Sequence, residues 1–269
     1  MPKIRVLFTS LLLAACALAV QAQPPSPAPL PPDPNAAKAQ KLLDEMVQAL
    51  GGERWLNQQN RYTEGSIAAF YKGKPTLGTT PFWAWTTPTV ERIDLTEKKH
   101  DQQNWVQLYT DNQCWEITYR GKRAMNPKLC RAYVRDRDHS IEAAVKIWMK
   151  NPKTLLMYDG QRLVERHLAD KISLLNDRND AVEIDLDVQT HLPLRRSWQW
   201  HDSVYHDIDT AVEEYDDYHA VDGIATPFTI THFENGEMTG QRFITNALYN
   251  VPVPPDWYNL AAIIARAKH

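Results

Sequence analysis

The run Val182-Glu183-Ile184-Asp185-Leu186-Asp187 decides the fold. Apolar and acidic residues alternate strictly, which is the pattern of a strand with one buried and one wet face, because successive side chains point to opposite sides. The next run repeats it: Leu192, Leu194, Trp198 and Trp200 share one face, with Arg195, Ser197 and Gln199 on the other. Further runs at Ile172–Leu175, Thr210–Tyr218, Ile224–Phe233 and Arg242–Tyr249 continue the meander. Working back, Trp105–Thr110 and Cys114–Tyr119 predict a hairpin over Asp111-Asn112. Leu155–Tyr158 and Arg162–His167 predict another over Asp159-Gly160. Tyr62–Tyr71 and Phe82–Leu95 read as extended chain.

Two segments have helical spacing instead. Leu42, Leu43, Met46, Val47 and Leu50 form one stripe of a helix over Ala36–Leu50, stopped by Gly51-Gly52. Ile141, Ala144, Val145 and Trp148 form the stripe of a second, over Ser140–Lys150, which Asn151-Pro152 ends. About ten antiparallel strands with two helices exclude a doubly wound α/β fold. The expected architecture is mainly β (α+β): a curved, antiparallel, half-open β-barrel with the helices packed on its concave face.

The start of the chain reads as an address. Lys3 and Arg5 precede the apolar run Val6–Val20, and Val20-Gln21-Ala22 suits signal-peptidase cleavage before Gln23. A competing reading takes Leu13-Ala14-Ala15-Cys16 as a lipobox, with Cys16 lipidated and anchored to the envelope. Residues 23–35 are rich in proline and read as a linker, which leaves residues 36–269 as one domain. Both readings of the leader place the domain in the periplasm, so Cys114 and Cys130 are the pair left in an oxidising compartment. A disulfide and two separate buried thiols both remain open.

A composition of 43% hydrophobic and 23% charged residues excludes a disordered chain. The formal net charge of −3 gives no electrostatic reason to expect nucleic acid. No nucleophile elbow, zinc-protease helix, phosphate loop or dinucleotide fingerprint occurs, so neither catalytic residue nor cofactor is expected. His201-Asp202, His206-Asp207 and Asp209 form the only His/Asp cluster, and their spacing matches a solvated turn better than a metal site. Asp136, Asp138 and His139 read as the entry to the second helix.

Several turn motifs resemble the periplasmic lipoprotein-carrier superfamily, the LolA/LppX/RseB-like proteins, over residues 37–258. They are Gly51-Gly52 after the first helix, Gly65 in a strand, and Pro88-Thr89-Val90-Glu91-Arg92. Asp187-x-x-Thr190-x-Leu192-Pro193, Tyr218-x-x-Val221-Asp222-Gly223-Ile224-x-x-Pro227, and Tyr249-Asn250-Val251-Pro252 before Trp257 follow. The resemblance implies an exported, non-enzymatic protein that buries acyl chains of a lipid or an acylated lipoprotein, with peripheral membrane association. Its alternative is a module with a filled core that binds envelope proteins. Trp83, Trp85, Trp105, Trp115, Trp148, Trp198 and Trp200 are the candidate lining of the apolar hollow. Arg92 is the candidate latch to lid carbonyls, and Arg196 marks either an acid partner or the rim.

Overall fold

The computed structural model describes residues 33–76, 78–96, 103–202 and 207–267. The signal, the lipobox at Cys16, most of the proline-rich linker and part of the His201–Asp209 cluster lie outside the described residues. Asp33–His269 forms one compact unit. No described helix is long and apolar enough to cross a membrane.

One antiparallel sheet of 14 strands organises the unit. The first half comprises β1 (Arg61–Tyr71), β2 (Lys74–Pro75), β3 (Thr80–Thr86), β4 (Glu91–Thr96), β5 (Gln103–Tyr109), β6 (Trp115–Thr118) and β7 (Gly121–Ala124). The second comprises β8 (Leu155–Val164), β9 (His167–Leu175), β10 (Ala181–Asp187), β11 (Pro193–His201), β12 (Ile208–Val221), β13 (Ile224–Glu234) and β14 (Glu237–Tyr249). The spatial order is β7-β6-β5-β4-β3-β1-β14-β13-β12-β11-β10-β9-β8, with β2 appended to β1. Because β7 and β8 are both edges, the barrel is open. The meander is continuous except where β14 returns to pair with β1, and that single closure joins the two halves.

Helix α1 (Pro34–Leu50) starts with Asp33, whose carboxylate accepts from the Asn35 amide at 3.0 Å, and with Pro34 in the first turn. It therefore begins two residues before the predicted Ala36. Gly51 ends it at φ 127°, and a side chain there would lie 2.5 Å from the Gly223 carbonyl oxygen. Asn35 also docks the helix to the sheet edge: its side-chain amide gives to and takes from the Tyr158 backbone at 2.8 Å each way, as a neighbouring strand would. Leu42, Leu43, Met46, Val47 and Leu50 pack on Ile172, Leu174, Val182, Ile184 and Leu186, joined by Trp55 of the short α2 (Glu53–Leu56).

Two further helices follow β7: α3 (Pro127–Asp138) and α4 (Ile141–Lys146), then a 3₁₀ turn at Trp148–Lys150. Helix α4 adds Ile141, Ala144 and Trp148 to the α1 core. Asp136 and Asp138 therefore end α3 and do not open the second helix. The last helix, α5 (Leu260–Arg266), packs on the opposite side of the sheet, over Val106, Leu108 and Ile117.

Three expectations are corrected. Phe82–Leu95 is two strands, turned at Thr87–Val90, where the Thr87 amide gives to the Val90 carbonyl at 2.8 Å. No hairpin forms at Asp159-Gly160: β8 runs through it with a bulge and turns at Glu165-Arg166. The outer face is not wet throughout. Over β8–β11 it carries a ladder of Arg162, Lys171, Glu183, Asp185 and Arg195, but over β5 and β6 it is apolar beneath α5.

Gly65 marks the closure between halves. A β-carbon there would stand 1.9 Å from the Phe243 carbonyl oxygen, at the bulge where β1 meets β14. Gly65→Ala is expected to cost about 3 kcal/mol, since backbone must move to admit it, read as a lower urea midpoint at unchanged slope.

Candidate functional site

Register places each residue on a face, because directly paired residues of antiparallel strands point the same way. The inner face bears α1 and α4. Trp198 pairs with Val182 and Arg196 with Ile184, so both are inner, and Trp200 follows by alternation. Trp105 pairs with Leu95, and Leu95 with Phe82, in a second inner cluster of Phe82, Ala84, Ile93 and Leu95. Trp148 lies in the α1 core. Trp83, Trp85, Trp115 and Arg92 occupy the outer face, so the structure does not bring the seven tryptophans together.

On that outer face Arg92 is buried and doubly bound to Asp94, at 2.7 and 2.8 Å. It also gives to the Trp257 carbonyl at 3.1 Å and lies 3.9 Å from the Trp257 ring, which packs on Trp85 at 4.8 Å. Arg92 does hold a carbonyl, but that of the C-terminal tail. Asn250 (φ 54°) and Asn60 turn the tail across: the Asn60 side chain accepts from the Val251 amide at 2.9 Å.

The inner latch is Arg196. Its side chain is 4% exposed. It gives to the backbone carbonyls of Asp136 (3.0 Å) and His139 (2.8 Å), to the Asp136 carboxylate (2.6 Å), to Glu213 (3.0 Å) and to the Tyr215 hydroxyl (2.6 Å). The guanidinium thus joins β11 and β12 to the end of α3. A cation this deep is stable only with every donor engaged. Burial works against the Glu213 carboxylate, but Arg196 and His232 outweigh it and hold its pKa far below the carboxylate range. Burial likewise lowers His232, yet its bond to Glu213 leaves the imidazole pKa raised.

Helix α3 is fastened differently from α1. It has no fully buried side chain along its length. Besides Arg196, its ties are the Cys114–Cys130 disulfide, the Tyr133 ring stacked 4.4 Å from Tyr109, and Arg137, which gives to Asp111 and to the Thr89 carbonyl. Tyr109 packs against the Phe82–Leu95 cluster, so Tyr133 connects α3 to that patch. Along its other side α3 borders a cleft of about 860 Å³, lined also by Trp200, Arg178 and the Asp111–Gln113 turn. Among the described residues no three His, Cys, Asp or Glu side chains are placed to hold a metal.

Sequence reasoning missed α3, Tyr133 and the full role of Arg196. The one available signal was Arg196 itself, a cation at an inner position of an apolar strand.

The arrangement has solved counterparts. No family model and no curated protein matches the chain. A DUF1329 family protein from Desulfovibrio piger aligns with TM-score 0.56 at 13% identity, covering 85% of this chain and 98% of its own. The chain shares that structure's fold. A candidate outer membrane lipoprotein-sorting protein domain from Vibrio parahaemolyticus aligns at TM-score 0.55 and 10% identity, over 84% of this chain and 99% of that one. A LolA superfamily protein from Nitrosomonas europaea gives 0.52 at 10%, over 83% and 98%. Identities this low show a shared fold and extend the likeness no further.

Two outcomes follow. Arg196→Met leaves Glu213 without its cation and should cost about 3–5 kcal/mol, with part of the loss recovered in Arg196→Met/Glu213→Gln, both read by urea denaturation. His232, raised in the fold, adds stability in full below the ordinary value of 6.5, and that gain fades as pH rises through the higher folded value. The stability gap between wild type and His232→Gln should therefore narrow from pH 6 toward alkaline pH. A gap that widens contradicts the assignment.

Proposed function

We propose that this chain is an exported, non-enzymatic binding protein that takes up acyl chains of a lipid or lipoprotein beneath α3. The observation that carries the reading is the fastening of α3. It lies over the inner face on polar and covalent ties at its ends, with no buried apolar stripe of its own. Next to its Tyr133–Tyr109 stack, Phe82, Ala84, Ile93 and Leu95 with Trp105 form an apolar patch. Helices α1 and α4 pack against Ile172–Leu186 and serve as wall.

Magnitudes make exchange feasible. Burying roughly ten methylenes returns on the order of 8 kcal/mol. Releasing the end of α3 breaks about three charge-assisted hydrogen bonds of Arg196 to Asp136 and His139, each worth about 1.5–3 kcal/mol. The two sums are similar, as reversible loading requires. The solved lipoprotein-sorting and LolA superfamily neighbours support the reading at the level of fold, and with the secretory leader they favour a periplasmic site, free or anchored through Cys16. The filled core beneath α1 favours a second reading, a protein-interaction module of the envelope.

Quenching by a brominated fatty acid separates the two. Wild-type fluorescence should fall on loading, and most of that fall should vanish in Trp105→Phe but persist in Trp83→Phe, whose ring is on the outer face. Native mass spectrometry of protein taken from its host envelope should show lipid-sized added mass. A protein that is always empty and never quenched rejects carriage in favour of the interaction module.

A further inference from the structure

Two arginines that line the cleft beside α3, Arg131 and Arg135, have no ion-paired or hydrogen-bonded side-chain partner among the described residues. One stripe of the helix, Cys130, Arg131, Val134, Arg135 and Asp138, faces the cleft. Arg131 and Arg135 are four residues apart and so lie one above the other on the helix surface. The Arg135 guanidinium sits 3.6 Å from the Trp200 ring, which fixes its plane. Burial pushes its pKa down, and the charges of Glu234 and Asp209 only partly offset that.

The acids of the cleft are already engaged elsewhere. Asp111 and Asp138 both receive Arg137, and Asp180 receives Arg178 at 3.5 Å together with the Asn176 amide. Among the described residues no oxygen accepts from the side chain of Arg131 or Arg135, although hydrogen bonds and ion pairs claim Arg92, Arg137, Arg162 and Arg196.

His139 lines the cleft and is 7% exposed. Its Nδ1 lies 2.7 Å from the Arg135 carbonyl oxygen, which can only accept, so Nδ1 carries the hydrogen. Burial lowers the pKa of the ring, and the neutral form leaves Nε2 as an acceptor. That atom is buried and has no partner. The cleft therefore presents two cations for an oxyanion, while the His139 Nε2 lone pair stays buried.

We infer that this cleft binds a phosphate ester, with Arg131 and Arg135 on the phosphate oxygens. Paired guanidiniums match phosphate oxygens in geometry as well as charge. The same chemistry occurs on a phospholipid head group and on a soluble glycerol phosphate. The first case rests on the proposed acyl burial, and the second does not.

Three probes separate the sources: glycerol 3-phosphate by calorimetry, and lysophosphatidylglycerol and monooleoylglycerol below their aggregation limits by tryptophan fluorescence. Wild type should bind glycerol 3-phosphate, and should prefer lysophosphatidylglycerol over monooleoylglycerol by about tenfold. Arg131→Gln/Arg135→Gln should abolish both effects while binding monooleoylglycerol as before, and Arg131→Gln alone, at an exposed position, should reduce both without touching the fold. Equal binding of the two lipids by wild type, with no glycerol 3-phosphate bound, overturns the inference and leaves acyl burial standing. Binding of glycerol 3-phosphate lost in the double variant, with no gain from hydrocarbon, keeps the site and rejects acyl burial. A preference that survives in the double variant also overturns the assignment.

Discussion

A buried cation cannot stand without partners, and in this protein the partners of Arg196 belong to two different parts of the fold. Glu213 and Tyr215 are on the sheet; the carbonyls of Asp136 and His139 are at the end of α3. The guanidinium is satisfied only while α3 lies on the sheet. This one constraint sets the position of the helix and the shape of the cleft beside it. It also makes the attachment conditional, because polar ties can be exchanged for water in a way that a packed apolar stripe cannot.

The sheet reverses its polarity along its width. Over β8–β11 the inner face holds the core under α1 and the outer face is a charged ladder in water. Over β3 and β4 the inner face holds the Phe82–Leu95 cluster, and over β5 and β6 the outer face is apolar beneath α5. The C-terminal tail is therefore structural: with Arg92, Asp94, Trp85 and Trp257 it closes a surface that would otherwise face solvent.

What could be read from the sequence follows from this asymmetry. β10 and β11 were legible because one face is wet, so alternation is visible. β3 was not, because Phe82, Trp83, Ala84 and Trp85 are apolar on both faces, and period two then says nothing about direction. The seven tryptophans looked like one lining for the same reason. Helix α3 left no signal since it buries no stripe, and Asp136, Asp138 and His139 read as the entry to the next helix. The hairpin was misplaced because Gly160 (φ 95°) marks a bulge, while the real two-residue turn uses Glu165 (φ 46°) and Arg166 (φ 75°) without glycine. Arg196 was visible as an anomaly, but its partners are 17 to 60 residues away in sequence, and only the fold brings them together.

The account stands on α3 leaving the sheet without unfolding it. Native-state hydrogen exchange of the intact, disulfide-bonded protein measures that directly. The amides of residues 131–138 should exchange through a local opening, at a free energy well below that of α1 and β9–β11 and insensitive to low urea. Protection of α3 equal to that of α1, with the same dependence on urea, would mean that the helix leaves only when the whole domain unfolds, and would contradict the account.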